Sequence, residues 1–265
     1  MRIIFYLLLT SQLLLSEVYY SKVEPYKFKK LSSSVSGEVL FIDEDKLGQK
    51  LGKKPFIIID SEIDRSELVD VEKKLKSLKN TLSLNKKILN NLSEVLKKKE
   101  ANFKRTEALK IKSRIDKDRE FYDLIASENS FIATQKEVNS LSNSVADLEL
   151  RKIQLQKNIR DKKVSANNHL LYSIKVKEGE VVNIATPLAE VADISKALLT
   201  IYVDVDELKD IESKTIYIND KKTNYKILRV LKIADSVNIS KYRVQIAIDA
   251  PKVFSKLVKV ELKED

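Results

Sequence analysis

The chain has 265 residues, room for one elongated or two compact domains. Its 49 Lys and Arg against 39 Asp and Glu give a formal net charge of +10, with lysine far outnumbering arginine. With no cysteine, disulfides, thiolate zinc sites and cysteine nucleophiles are excluded. The lysines are interleaved with Glu and Asp, which marks a solvated helix surface rather than a nucleic-acid track.

Met1-Arg2 is a short positive start, followed by the apolar run Ile3 to Leu15. At about 13 residues it falls short of the ~20 that cross a bilayer comfortably and matches the core of a secretory leader. Residues 1–21 are therefore expected to be a signal peptide, cut after Ser16 or Ser21 or kept as an uncleaved anchor. Val23 to Lys30 reads as an extended lead-in, because Pro25 excludes a helix.

Strand patterns follow at Val35–Ile42 and Pro55–Asp60, with a charged turn region from Asp43 to Gly52 between them. Gly37 lies inside the first of these strands, where the backbone must bend or approach a neighbour closely. A helix start is expected near Ser61 or Ser66.

Neither Gly nor Pro occurs between Pro55 and Gly179. Within that stretch Leu68, Leu75, Leu82, Leu89, Leu96 and Phe103 recur every seven residues, with Val71, Leu78 and Leu92 on a second seam. This is the a/d pattern of a coiled coil. The pattern fades from Lys110 to Asp116 and restarts as Leu124, Phe131, Val138, Val145 and Ile159, with Leu141, Leu148 and Leu155 beside them. The two series mirror each other about Ser113–Arg114, which predicts an antiparallel hairpin over residues 65–163. Each arm would take roughly 47 residues and reach about 70 Å. Asn85, Lys99, Ser127, Thr134 and Lys152 interrupt the seam; they either pin its register or are tolerated defects.

Strand patterns return at Leu170–Val176, Val181–Val182 and Pro187–Asp193, with a hairpin turn at Glu178-Gly179-Glu180. Strands are then expected at Leu198–Val205, Thr215–Ile218, Lys226–Lys232, Tyr242–Ile248 and Leu257–Leu262, with a short helix at Asp206–Ile211. The topology is α+β: one small β domain interrupted by the hairpin (22–64 and 164–196), then a second small β domain (197–265) of barrel or sandwich type.

This order resembles the periplasmic adaptor, or membrane fusion protein, family of Gram-negative efflux and secretion systems. Gly37-Glu38-Val39 looks like the opening of the family's first lipoyl half, and Val176-Lys177-Glu178-Gly179-Glu180-Val181-Val182 like the second. Ala185 stands where the family has a Gly. The resemblance implies a lipoyl-like barrel-sandwich hybrid split by an α-helical hairpin and followed by a β-barrel. It also implies an inner-membrane transporter of RND or ABC type, a TolC-like outer-membrane channel and side-by-side homo-oligomers as partners, and a periplasmic location at the inner membrane.

In channel-docking members the hairpin tip carries an Arg, a Leu four residues on and a Ser seven beyond that. Arg105, Leu109 and Asp116 hold that spacing here, with Ile115 just before the last. Asp116 in place of Ser would still suit the start of the second helix, though without the hydroxyl contact.

The lone His169 lacks companions at metal-ligand spacing, and no phosphate loop, nucleophile elbow or triad can be assembled. No enzyme activity, cofactor or metal is expected, and no lipoyl or biotin attachment, since the coiled coil occupies the position of the modified hairpin. The competing readings are an exported coiled-coil scaffold without a transporter and a basic nucleic-acid-binding coiled coil. The leader and the scarcity of Arg and aromatics on the rod weigh against the second.

Overall fold

The computed structural model describes residues 17–234, 238 and 240–264. The apolar run expected to be the leader core lies outside them. Among the described residues no helix is long and apolar enough to cross a membrane.

The strands in chain order are β1 Val18–Lys22, β2 Glu24–Ser32, β3 Gly37–Ile42 and β4 Ile57–Ile59. Helix α1, Glu62–Ala108, runs out for 47 residues and α2, Arg114–Asp161, returns for 48. Then come β5 Lys163–Val164, β6 Leu170–Ile174, β7 Val181–Val182 and the long β8 Pro187–Val203. The chain continues with β9 Thr215–Ile218, β10 Lys221–Lys222, β11 Ile227–Ala234, β12 Tyr242–Asp249 and β13 Leu257–Lys263.

The hairpin doubles back as the heptads predict. Every seam position from Leu68 to Thr106 and from Lys117 to Ile159 is at least partly buried, and Val71, Leu75, Val138, Val145 and Leu155 are buried fully. Two helices side by side can shelter only a stripe of each, so most seam residues are half-covered rather than enclosed. The turn is Leu109–Ser113, centred on Ile111 and so two residues earlier than the mirror point at Ser113–Arg114. Seven-residue spacing gives the repeat of each arm but not the offset between arms.

Flanking charges align the two arms. Arg151 makes a two-pronged pair with Glu67 (2.7 and 2.7 Å), and Lys79 reaches Glu149 at 2.6 Å. Of the polar seam residues, Lys99 and Lys152 cross to Asp123 (3.1 Å) and Glu72 (2.8 Å) on the other arm. Asn85, Ser127 and Thr134 instead donate to the carbonyl four residues back on their own helix, so they occupy the seam without linking the arms.

Residues from both sides of the hairpin share one core. Val39, Phe56, Ile57 and Ile59 pack with Leu171, Val182, Leu188 and Val191. The backbone joins the same halves. β4 pairs with β5 (Ile57 with Val164), β3 with β7 (Gly37 with Val182), and the Leu51 amide donates to the His169 carbonyl at 2.8 Å. Gly37 is required by close approach: a Cβ there would sit 2.8 Å from Ile59 Cγ2. Gly179 has φ +81°, the left-handed turn expected at Glu178-Gly179-Glu180. Ala185 adopts φ 70°, a glycine-like conformation held by a residue with a Cβ.

A second core gathers Tyr19, Ala197, Leu199, Ile201, Ile216, Val244, Ile246 and Val260. Its sheets run β1-β13-β9-β10 and β11-β12-β8-β2, with β6 also on β8. Three features differ from the sequence expectation. Pro187–Asp193 and Leu198–Val205 are one strand, β8, which passes from the first core into the second. Asp206–Ile211 is not a single helix; 3-10 turns stand at Val205–Leu208 and Ile211–Ser213. Residues 18–21, expected inside the leader, belong to β1, which pairs with β13 over five residues. Tyr19 and Ser21 of β1 are buried, and the Ser21 hydroxyl accepts the Thr200 amide at 2.8 Å, tying β1 to β8.

Candidate docking site at the hairpin tip

The far end of the rod is built from the last turn of α1, the five-residue turn and the first turn of α2. Both helix ends are capped within the chain. The Leu109 amide donates to the Thr106 carbonyl (3.2 Å), and Lys117 of α2 donates to the Glu107 carbonyl (2.8 Å), placing a cation on the negative end of α1.

At the start of α2 the N-cap is Ser113, whose Oγ accepts the Asp116 amide at 3.2 Å. The Ser113 hydroxyl also donates to Asp116 Oδ2 at 2.8 Å. Asp116 is therefore not a cap in the manner expected for the third tip position. It sits one turn further in, where its charge faces the positive helix end. The hydrogen bond from Ser113, with Lys112 and Arg119 nearby, holds its carboxyl below the usual carboxylate range.

Arg105, Leu109 and Ile115 are all exposed, but they are not equivalent. The Arg105 guanidinium turns back along its own helix to the Asn102 side chain and, at 3.4 Å, the Ala101 carbonyl. Leu109 is the residue that ends α1, and Ile115 stands outward on the first turn of α2. Ile111, which the sequence reading passed over, projects from the middle of the turn at 97% exposure. The available signal was an isoleucine between two lysines where the heptads fade.

Exposed apolar residues also run down the rod. With Leu68 as heptad position a, Leu84, Ile88 and Val95 fall on the c and g positions of α1. Tyr122, Ile125, Ile132, Leu150 and Ile153 fall on the b and f positions of α2. The Glu67–Arg151 and Lys79–Glu149 pairs show g facing g and e facing e. The two stripes therefore lie on different flanks of the hairpin, one on each helix.

At the foot of the rod, the Lys162 ammonium pairs with Asp64 and lies 3.7 Å from the point a Gly37 Cβ would occupy. His169, just beyond, is half-buried with Nδ1 2.9 Å from the Asn167 carbonyl.

No family profile and no curated protein matches the sequence. Solved structures do match. A crystal structure of MacA from Actinobacillus actinomycetemcomitans aligns with TM-score 0.68 and 18% identity, over 93% of this chain and 78% of that one. A MacA-MexA chimera carrying the Pseudomonas aeruginosa MexA α-hairpin domain gives 0.60 and 15%, over 94% and 82%. The membrane fusion protein Spr0693 from Streptococcus pneumoniae R6 gives 0.57 and 12%, over 94% and 100%. The chain shares the fold of these three structures.

Proposed function

We propose that the chain is a non-enzymatic periplasmic adaptor subunit of a tripartite efflux or secretion system. Its β units engage an inner-membrane transporter, either a proton-driven RND pump or an ATP-driven one, and its hairpin tip docks on a TolC-like outer-membrane channel. The observation that carries this reading is the return of the rod: residues 35–59 and 171–191 share one core at the base of arms about 70 Å long. A stiff arm rooted in a compact base is suited to holding two partners a fixed distance apart. In this reading the split core is the lipoyl-like unit and the second core the β-barrel. The N-terminal run carries the chain across the inner membrane and is either removed or kept as an anchor.

Several copies would stand side by side. Apolar stripes on different flanks of each hairpin favour a contact in which one copy's α1 stripe meets the next copy's α2 stripe, a head-to-tail arrangement that closes into rings. No cofactor or nucleic acid takes part.

Complementation tests the reading. In a strain lacking this chain, the intact protein should restore efflux or secretion, while Leu109→Asp should fail to do so at equal abundance and equal helicity. Full restoration by Leu109→Asp and by Arg105→Glu would favour a scaffold that does not dock through its tip.

A further inference from the structure

We infer that the surface receiving the tip is a protein notch with an apolar floor and a carboxylate rim, and that Ile111 is the tooth that enters it. This rests on the channel-docking reading and specifies the partner's chemistry.

The fold gives no reason for an isoleucine at that position. Ser113, Thr106 and Lys117 already satisfy the helix ends around it. At 97% exposure Ile111 is left almost wholly uncovered by the described residues. Polar or glycine residues are the usual choice at the middle of such a turn. A large apolar side chain exposed on a turn capped at both ends has the form of an anchor that is buried on binding.

The charge around it is one-sided. Residues 104–119 hold seven Lys and Arg against three Asp and Glu. Arg105 and Lys117 are committed to groups of the chain itself. Among the described residues the side chains of Lys110, Lys112 and Arg114 make no hydrogen bond or close ion pair, although Lys112 lies near Asp116, and all three fall within three residues of Ile111 in the chain. Three exposed cations this close in the chain to one apolar side chain are complementary to carboxylates on a partner, which would also speed and orient encounter.

An anionic bilayer offers the same two features, but the apolar surface is not confined to the end. Leu109 stands at the start of the turn, and Ile115 and Tyr122 carry the apolar surface back along α2. Ile115 to Tyr122 alone spans about 10 Å of helix. A flat membrane meets only the end of an upright rod, whereas a notch between helices also meets its flanks.

The test places a photo-reactive p-benzoylphenylalanine at position 111, and separately at 105 and 109, in the full-length protein in cells that hold the transporter and channel. The expected adduct at 111 is a peptide from the periplasmic end of the channel that contains Asp or Glu. Lys110→Glu/Lys112→Glu/Arg114→Glu should lower its yield at least about tenfold, the effect of losing one strong interface contact. Reversing the partner's carboxylates to Lys should restore it.

An adduct of 111 with lipid, or with a channel peptide lacking carboxylates, would overturn the inference. Channel adducts at 105 or 109 with none at 111 would overturn it while leaving channel docking intact. No channel adduct at any of the three positions would overturn both.

Discussion

Asp64, in the first turn of the outgoing helix, and Lys162, just after the returning one, form an ion pair across the base of the hairpin although 98 positions separate them. Their side chains are 17% and 11% exposed, so the pair is largely removed from water. It closes the rod where the two halves of the first core meet. Removing one partner leaves a sheltered charge without its counter-ion. Lys162→Met should lower unfolding free energy by about 2 kcal/mol. Asp64→Asn should cost a similar amount, and the double variant less than the sum. Urea titration followed by circular dichroism measures all three.

The seam predicts a contrast between two leucines. Leu155 is fully buried near the base, and its truncation to Ala should cost about 2–5 kcal/mol. Leu84, at 57% exposure on the α1 flank, should tolerate Ala within about 0.5 kcal/mol in the isolated monomer. Thermal melts of the two variants test the assignment of seam and flank.

The tip should respond to acid with a definite sign. The folded-state pKa of Asp116 is depressed, so its contribution is present above the ordinary carboxylate value and is lost as pH falls through the depressed one. Protection of the amides at the start of α2, corrected for the intrinsic pH dependence of exchange, should hold at neutral pH and fall only as pH drops below the ordinary carboxylate range. Ser113→Ala removes the cap and should weaken the local helix by about 1 kcal/mol at neutral pH. Hydrogen-exchange mass spectrometry on tip peptides reads both effects.

β1 constrains processing of the N-terminus. A cut after Ser21 would remove the strand that buries Tyr19 and supplies the Ser21–Thr200 hydrogen bond. The protein recovered from cells should therefore begin no later than Val18, as N-terminal sequencing would show. A truncated chain starting at Lys22 should melt several degrees lower through its second core.

The rod was readable because its signal is repetitive. The seven-residue repeat from Leu68 to Phe103, renewed on the second arm, outweighs the odd Asn or Lys, and a helix hydrophobic on one narrow stripe has few alternatives. The split core was readable from the strand patterns at both ends of the hairpin. Its Gly37 matched the close approach that a strand glycine signals. The parts that escaped depend on information no local window carries. β8 hid because Asp193 to Lys196 is polar enough to resemble a turn. The Asp193 carboxylate accepts the Ser195 amide at 2.9 Å within the strand, and β2 keeps pairing on either side of it. β1 hid because five residues just after an apolar run read as the run's tail until β13 is beside them. At the tip, the family resemblance singled out Arg105, Leu109 and Asp116 as docking residues. That Arg105 folds back, that Ser113 caps and that Ile111 is almost wholly exposed depend on the three-dimensional arrangement of the turn.

The central claim is that the rod doubles back and brings its two ends together. The chain has no native cysteine, so single cysteines can be placed freely. Spin labels at Ile63→Cys and Arg160→Cys, both exposed positions near the base, report the separation by double electron–electron resonance. A folded hairpin predicts a distance below about 30 Å, the diameters of two neighbouring helices plus the label arms. A rod running straight through would hold the labels about 145 Å apart and give no short-distance signal within one molecule, which would contradict the account.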